Sequence, residues 1–322
     1  MMSVVYKRDA GIQTNTGSSI LKVLVYFSIF QYPLSKEEIM KYMPPETGAD
    51  AFEYALDHLV DDGIVFRIAE FYLLYNDGVL VQRRREGNQR AAQLLPKAMK
   101  IGRFLSGFPY VRGIGISGSL SKMYADEKTD IDFFIITKAN RLWIARTFMH
   151  LFKKLTFLTG QQHYYCMNYY LGENALKLDE QNIYTAIETV TLLPVSGKAM
   201  QDFFAANDWV NKWFAEHNTD HSKETGKSGR SWLKRAIEWV LNNKAGNSLD
   251  NYLMRITTRR WQKKKQRGAR NEEGKIMDLV TGKHFARSNP GRFSEKLLSI
   301  YNEKINELKR RHPGYFNSFS EA

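Results

Sequence analysis

The sequence has a single cysteine, Cys166, and lacks long hydrophobic runs. One thiol in 322 residues excludes an internal disulfide and a cysteine-rich zinc site, which indicates a reducing cytoplasm. The most apolar early stretch, residues 20–30, falls short of the ~20 residues that cross a bilayer, and the N-terminal residues lack a signal-peptide pattern. We therefore expect a cytoplasmic protein with no membrane partner.

A net charge is also missing from the first two thirds of the chain. Residues 1–220 hold 24 basic and 24 acidic side chains, whereas residues 221–322 hold 23 basic and 10 acidic ones. The total of +13 would by itself suggest a nucleic-acid partner, but the whole excess belongs to the C-terminal third. With 43% hydrophobic residues, the chain has enough apolar material for about two folded domains.

The N-terminal residues 17–75 have the pattern of three helices followed by a β-hairpin. Ser35 and Glu38 form a capping box ahead of the second helix, and residues 64–66 and 71–74 are the predicted strands. This order is typical of a winged helix-turn-helix. The region around the third helix, residues 42–66, has no Lys or Arg and six acids, which disfavours DNA readout and a regulator of transcription. A role in protein contacts or in structure is favoured.

The remaining segments alternate between helical, mixed and polar patterns. We predict an α+β protein with a small mixed β-sheet, divided into a winged-helix-like module, a linker helix, a central core and a basic helical C-terminal domain. Their predicted bounds are 1–80, 81–106, 107–216 and 217–322, with a polar linker at 217–231.

The central core contains the one segment whose pattern predicts chemistry. A short strand over residues 113–117 leads into a turn at Gly118 and Ser119, which is suited to holding a phosphate group. After ten intervening residues, Asp130 and Asp132 alternate with apolar residues, so that both carboxylates lie on one face of a second strand. Carboxylate oxygens at this spacing suit Mg²⁺, and together with an anion site they indicate phosphoryl or nucleotidyl transfer.

A purely structural interpretation is a plain turn followed by an exposed strand face. Against it, the strand that carries the aspartates is strongly apolar and should be central in the sheet. Two buried aspartates side by side are costly unless a cation compensates their charge.

Residues 117–119, Ser-Gly-Ser, and 130–133, Asp-Ile-Asp-Phe, resemble the signature of the nucleotidyltransferase superfamily that includes DNA polymerase beta and the kanamycin nucleotidyltransferases. The resemblance covers about residues 107–195, and Ser117 departs from it because the family has a hydrophobic residue there. The chain also resembles a bacterial branch of nucleotidyltransferase-like proteins with a winged-helix-like module ahead of the core.

The resemblance implies a Mg²⁺-dependent transfer of a nucleoside monophosphate from a triphosphate to a hydroxyl acceptor, with pyrophosphate released. ATP is the expected triphosphate, and a small molecule, an RNA or a protein is the acceptor. By the family's pattern, Gly118 and Ser119 hold the phosphates, and Asp130 and Asp132 bind the metal. Lys122, three residues past Ser119, is a further candidate that would add positive charge to the triphosphate. For Lys122 a solvated loop position is an equal alternative.

Active members of the family also have a third carboxylate, and this sequence departs from them there. The best-placed residue on the next strand, predicted over residues 164–171, is Asn168, whose neutral amide cannot act as a base. Glu173 and Glu188 are candidate substitutes. The alternative function is therefore a catalytically inactive relative that senses nucleotides or binds a protein partner.

A basic run in the C-terminal third offers a contact for a polyanion. The stretch Arg255–Arg270 contains eight Lys and Arg residues and no acid, and Trp261 among them is suited to stacking on a base. A solvated helical face is the structural alternative. The seven histidines have no metal-ligand spacing.

Overall fold

The computed structural model describes residues 16–214, 232–270, 274, 276, 278–289 and 292–316. The predicted linker over 217–231 lies outside these residues. The described chain is an α+β protein that clusters into two compact units. In the described residues, no helix is both long enough and apolar enough to cross a membrane.

The helices and strands alternate irregularly along the described chain. The helices are α1 (16–28), α2 (Lys36–Lys41), α3 (Ala49–Asp61), α4 (Gly78–Leu105), α5 (Leu142–Thr156), α6 (Ile183–Val190), α7 (Ala199–Ala206), α8 (Trp232–Leu241), α9 (Lys244–Gln266) and α10 (Phe293–Arg311). The strands are β1 (Leu34–Ser35), β2 (Phe66–Ile68), β3 (Phe71–Leu73), β4 (Val111–Ser117), β5 (Asp132–Thr137), β6 (Cys166–Gly172), β7 (Leu193–Ser196), β8 (Leu279–Thr281) and β9 (Phe285–Ser288).

The first unit contains α1 to α3 and a small antiparallel sheet in the order β1-β3-β2. The predicted helices and the Ser35–Glu38 capping box are confirmed. The predicted hairpin is present, but its first strand is Phe66–Ile68 and not residues 64–66, and the two-residue strand β1 adds an edge to it. The apolar face of α3 is buried through Phe52, Leu56 and Leu59, which leaves its acidic side chains on the exposed face.

The second unit is built on a six-stranded mixed sheet in the order β7-β4-β5-β6-β9-β8. Strand β5 lies in its interior, antiparallel to β4 and parallel to β6. Alternate β5 residues enter two cores: Phe133 and Ile135 pack with apolar residues of α4 and α5, whereas Phe134 and Ile136 pack with those of α7. Burial on both sides of the strand explains its continuous apolar run.

The two units do not coincide with the four predicted segments. Strands β8 and β9 come from the C-terminal third, yet β9 pairs with β6 and completes the central sheet. Residues from Glu295 onward, which include most of α10, group instead with the first unit. The C-terminal third is therefore shared between the units, because its strand pairing and helix packing depend on partners far away in the sequence.

Candidate phosphate and metal site

The Gly-Ser turn and the aspartate pair meet at one edge of the central sheet. Strand β4 ends at Ser117, and the antiparallel register places Ser117 opposite Asp132, where β5 begins. The turn that leaves β4 at Gly118 therefore lies directly beside Asp132. This register brings together the two halves of the predicted site, which are ten residues apart in the sequence.

Gly118 is required at the turn for two separate reasons. Its φ is +70°, in the left-handed region where a side chain is strained. A Cβ atom at this position would also lie 2.4 Å from Oδ2 of Asp132, well inside van der Waals contact. The missing side chain is therefore what allows the backbone to approach the carboxylate.

Hydrogen bonds inside the turn hold its shape. The Ser121 hydroxyl and the Lys122 Nζ atom both donate to the Gly118 carbonyl, at 2.9 and 3.1 Å. The backbone N–H of Tyr124 donates to the Ser119 carbonyl at 3.1 Å. Ser119 itself is exposed, so its hydroxyl is accessible to a ligand.

The two aspartates lie on either side of a buried residue. Ile131, between them, is fully buried. Its backbone N–H donates a hydrogen bond to a carbonyl in the segment ahead of β6, and its carbonyl accepts one from the first residue of that strand. Asp130 is exposed and precedes β5, whereas Asp132 is half-buried and is its first residue. The prediction that both aspartates belong to the strand therefore holds for Asp132 alone.

The surroundings of Asp132 disfavour its charge. Burial, followed by the negative charges of Asp130 and Glu188, raises the pKa of Asp132 to about 7, although a hydrogen bond to the Cys166 thiol acts in the opposite direction. Three acids influence one another here, and a bound cation would relieve this repulsion.

Asn168, the residue that the resemblance predicts in place of a third carboxylate, lies on β6. The register of β5 and β6 shifts between Phe133 and Phe134, which leaves Asn168 as the extra residue of a β-bulge. Its Nδ2 donates to Oδ1 of Asp132, and its Oδ1 accepts a hydrogen bond from the Cys166 thiol at 3.2 Å. The amide thus provides a hydrogen-bond donor to one oxygen of the half-buried carboxylate.

The Cys166 thiol is in a surrounding that keeps it protonated and therefore unreactive. Burial, and then the charge of Asp132, raises its pKa to about 12, so the thiol stays protonated at neutral pH.

The two candidate substitutes for the third carboxylate lie in different places. Glu173 follows β6, and its Oε1 accepts a hydrogen bond from the backbone N–H of Ala139, beyond the far end of β5. Glu188, on α6, forms an ion pair of 2.9 Å with Lys122. Glu188 therefore borders the site, whereas Glu173 is separated from Asp132 by the length of β5.

The ion pair with Glu188 also changes the expected role of Lys122. Its ammonium group is half-buried between the Gly118 carbonyl and the Glu188 carboxylate, so its charge is already offset. Lys122 thus stabilises the turn. A triphosphate would have to compete with Glu188 for the ammonium group.

Two residues not predicted from the sequence lie near Glu188: Tyr184 on the same helix, and Arg287, whose charge acts on Tyr184. Tyr184 lies one helical turn before Glu188, and burial followed by the charges of Glu188 and other neighbours, including Asp132, raises its pKa. The i, i+4 spacing of Tyr184 and Glu188 is the sequence pattern that indicates that they lie on the same face of α6. Arg287 lies opposite Tyr169 in the β6–β9 pair and forms an ion pair with Glu180. No local pattern indicates its position, because it depends on long-range strand pairing.

The donor atoms fit a hard cation only in part. Asp130 and Asp132 supply carboxylate oxygens, which Mg²⁺ prefers, and Mg²⁺ commonly binds through two carboxylates plus substrate phosphates. Among the described residues, no group of three or more His, Cys, Asp or Glu side chains is arranged to hold a metal.

The basic run is located on α9 and just beyond it. Its eight Lys and Arg side chains are exposed, and the ring of Trp261 is half-buried with the Lys264 Nζ atom 5.2 Å from its centre. Lys265 forms an ion pair of 2.7 Å with Asp278, so part of the charge is compensated locally.

Comparisons of the chain with models of known protein families, with curated proteins and with solved structures gave no match.

Proposed function

We propose that the protein is a Mg²⁺-dependent nucleotidyltransferase that transfers a nucleoside monophosphate from a triphosphate, with ATP as the expected donor, to a hydroxyl acceptor. The observation that supports the proposal is the register of β4 and β5, in which the turn at Gly118 lies beside Asp132, two residues after Asp130. In such a reaction the acceptor oxygen forms a bond to the α-phosphorus. The bond between the α-phosphorus and the oxygen that bridges it to the β-phosphorus breaks, and pyrophosphate leaves.

The turn would receive the phosphates of the donor. Gly118 has no side chain to obstruct the approach, and the exposed Ser119 hydroxyl can donate a hydrogen bond to a phosphate oxygen. Asp130 and Asp132 would hold Mg²⁺, which when bound supplies positive charge to the phosphate oxygens and lowers the pKa of the attacking hydroxyl.

A second candidate function, a nucleotide-binding module without catalysis, is favoured by Asn168. Its amide donates to Asp132 and cannot accept a proton from an acceptor hydroxyl. Lys122 and Glu188 neutralise one another beside the turn, which lowers the charge available to the leaving group. Both candidates require triphosphate binding, and they differ only in turnover.

Calorimetric titration with a non-hydrolysable ATP analogue, with and without Mg²⁺, combined with an assay of pyrophosphate release, tests both candidates. For the enzyme we expect Mg²⁺-dependent binding and turnover that falls by about a hundredfold or more in Asp130→Asn and in Asp132→Asn. Asp202→Asn, an exposed aspartate on α7, is the matched control and should leave both measurements unchanged.

Binding without pyrophosphate release, over a panel of small-molecule, RNA and protein acceptors, would establish the binding module. Turnover that survives both aspartate substitutions would contradict the proposed mechanism. Absence of triphosphate binding in the unmodified protein would contradict both functions.

A further inference from the structure

Helix α8 attaches to the second unit through its polar side. The Lys234 Nζ atom, in a buried side chain, donates to the carbonyls of Ser106 and Val111 at 2.8 and 2.9 Å. Glu238 forms an ion pair of 2.9 Å with Arg112 and accepts a hydrogen bond of 2.7 Å from the backbone N–H of Tyr110. Two of the three charged residues of this helix are thus used for packing against its own unit.

The opposite side of α8 is apolar and faces the solvent. Trp232 is 78% exposed and Trp239 is 84% exposed, and Leu233 and Val240 are more than half exposed. A surface helix ordinarily has the reverse arrangement, with its apolar side against the core. Large exposed apolar surfaces of this kind mark an interaction site.

A second group of exposed apolar residues lies at the end of α5 and near the end of α4. Leu155 is 63% exposed and Leu158 is 85% exposed, and Phe104 is 52% exposed with its ring 5.2 Å from that of Phe152. Ser106, which binds Lys234 of α8, is two residues from Phe104. Helix α8 therefore packs next to the end of α4, where Phe104 is located.

The exposed charge around these residues is positive. Arg235 on α8, Arg103 on α4 and Lys154 on α5 are exposed, whereas Glu238, the one acid of α8, is paired with Arg112. The C-terminal residues 221–322, which include α8, carry the whole net charge of the protein. An apolar face bordered by cations complements a surface that is apolar inside and anionic outside.

We propose that α8, together with the exposed apolar residues at the ends of α4 and α5, binds the surface of a bilayer that contains anionic phospholipids. Tryptophan side chains favour the headgroup level of a bilayer, where the ring is shielded from water and its N–H stays hydrogen-bonded. The expectation of no membrane partner rests on the lack of a stretch long enough to span a bilayer, and the described residues contain no spanning helix. A helix that lies flat on a membrane needs no spanning length, so the proposal replaces that expectation.

Two other occupants of this surface are less well matched. A second copy of the chain would bring two basic C-terminal regions together, and their like charges would repel. The preceding residues 215–231 contain one apolar residue, Ala215, and so lack the side chains to cover two tryptophans. The proposal does not depend on the transferase function.

Flotation of the full chain with lipid vesicles tests the proposal. We expect co-flotation with vesicles that contain roughly a third phosphatidylglycerol, much weaker binding to pure phosphatidylcholine, and weakening as salt rises. Trp232→Ala and Trp239→Ala should each lower vesicle affinity by roughly tenfold or more, and Trp239→Glu should lower it further.

Val79→Glu is the matched control for Trp239→Glu, because Val79 is 71% exposed and lies in the first unit. It should bind vesicles like the unmodified protein, and circular dichroism should show that all variants remain folded. Failure of the unmodified protein to float with anionic vesicles would overturn the proposal. So would vesicle binding that is unchanged in the tryptophan variants, or a dimer in sedimentation that these variants dissociate without any binding to vesicles.

Discussion

At the scale of single residues, the contact between Asn168 and Asp132 determines how the candidate site is stabilised without a metal. The amide donates to a half-buried carboxylate that already experiences the charges of Asp130 and Glu188. A carboxylate in place of the amide would remove the donor and add a fourth negative charge. The identity of residue 168 therefore controls how strongly the site requires a cation.

We predict that Asn168→Asp makes stability depend on Mg²⁺. In the presence of a chelator the variant should lose about 2–4 kcal/mol of unfolding free energy, because a buried hydrogen bond is replaced by repulsion between carboxylates. Mg²⁺ should restore much of this loss, which thermal or urea denaturation with and without the ion will measure.

Asn174→Asp, an exposed position beyond the end of β6, is the control for this substitution and should show little effect of Mg²⁺. If Asn168→Asp is equally stable with and without the ion, the carboxylates at this edge of the sheet do not form a metal site.

The residues of this site were largely predictable from sequence, but their pairing was not. A Gly-Ser turn and the Asp130–Asp132 spacing are local patterns, and the structure brings both to one sheet edge. The partners of Lys122 and Asp132 come from α6 and β6, which are tens of residues away. Their proximity depends on strand register and helix packing, which local patterns do not encode.

At the scale of secondary-structure elements, α8 shows how tertiary contacts can reverse the usual orientation of an amphipathic helix. The sequence predicts a helical domain over residues 217–322, and α8 is one of the helices found there. Which side faces inward is decided by the carbonyls of Ser106 and Val111 and by Arg112, which provide partners for Lys234 and Glu238.

Burial lowers the pKa of Lys234 to about 8, below its ordinary 10.5. The folded protein therefore releases this proton at a lower pH than the unfolded chain does. Between these values the unfolded state binds more protons, and stability therefore rises with pH. Relative to Lys234→Met, the unmodified protein should gain about 2 kcal/mol between roughly pH 7.5 and pH 9.5.

Urea denaturation of both proteins at the two pH values measures this gain. Lys244→Met, at an exposed lysine at the start of α9, is the control, and its unfolding free energy should change with pH as that of the unmodified protein does. An equal pH response in Lys234→Met and in the unmodified protein would show that Lys234 keeps its ordinary pKa in the folded state.

At the scale of the whole molecule, charge is distributed unevenly between regions. The exposed face of α3 is acidic, whereas α9 and the residues just after it expose eight basic side chains. Phosphates would be repelled by the first surface and attracted by the second. Any nucleic-acid contact should therefore use α9 and should not use the winged-helix-like module.

We predict weak, salt-dependent binding of single-stranded oligonucleotides that is lost progressively when α9 is altered. Arg259→Glu with Lys263→Glu should weaken binding and reduce the slope of log affinity against log salt by about 0.7 per phosphate contact removed. Fluorescence anisotropy over a series of salt concentrations measures both effects.

The matched control reverses two exposed lysines of the first unit, Lys41→Glu with Lys212→Glu. This double variant changes the net charge of the protein by the same amount as the α9 double variant does. Equal losses in the two double variants would indicate a general effect of net charge, and unchanged binding in the α9 variant would indicate that its basic face is only solvated.

The sequence by itself determined the α+β class, the helices and hairpin of the first unit, and the residue types of the candidate site. These features depend on short-range periodicity, capping and turn chemistry, which neighbouring residues specify. Only the tertiary structure decided that β9 joins the central sheet, that Lys122 pairs with Glu188, and that the tryptophans of α8 face outward. Each of these depends on hydrogen bonds and packing between residues far apart in the chain.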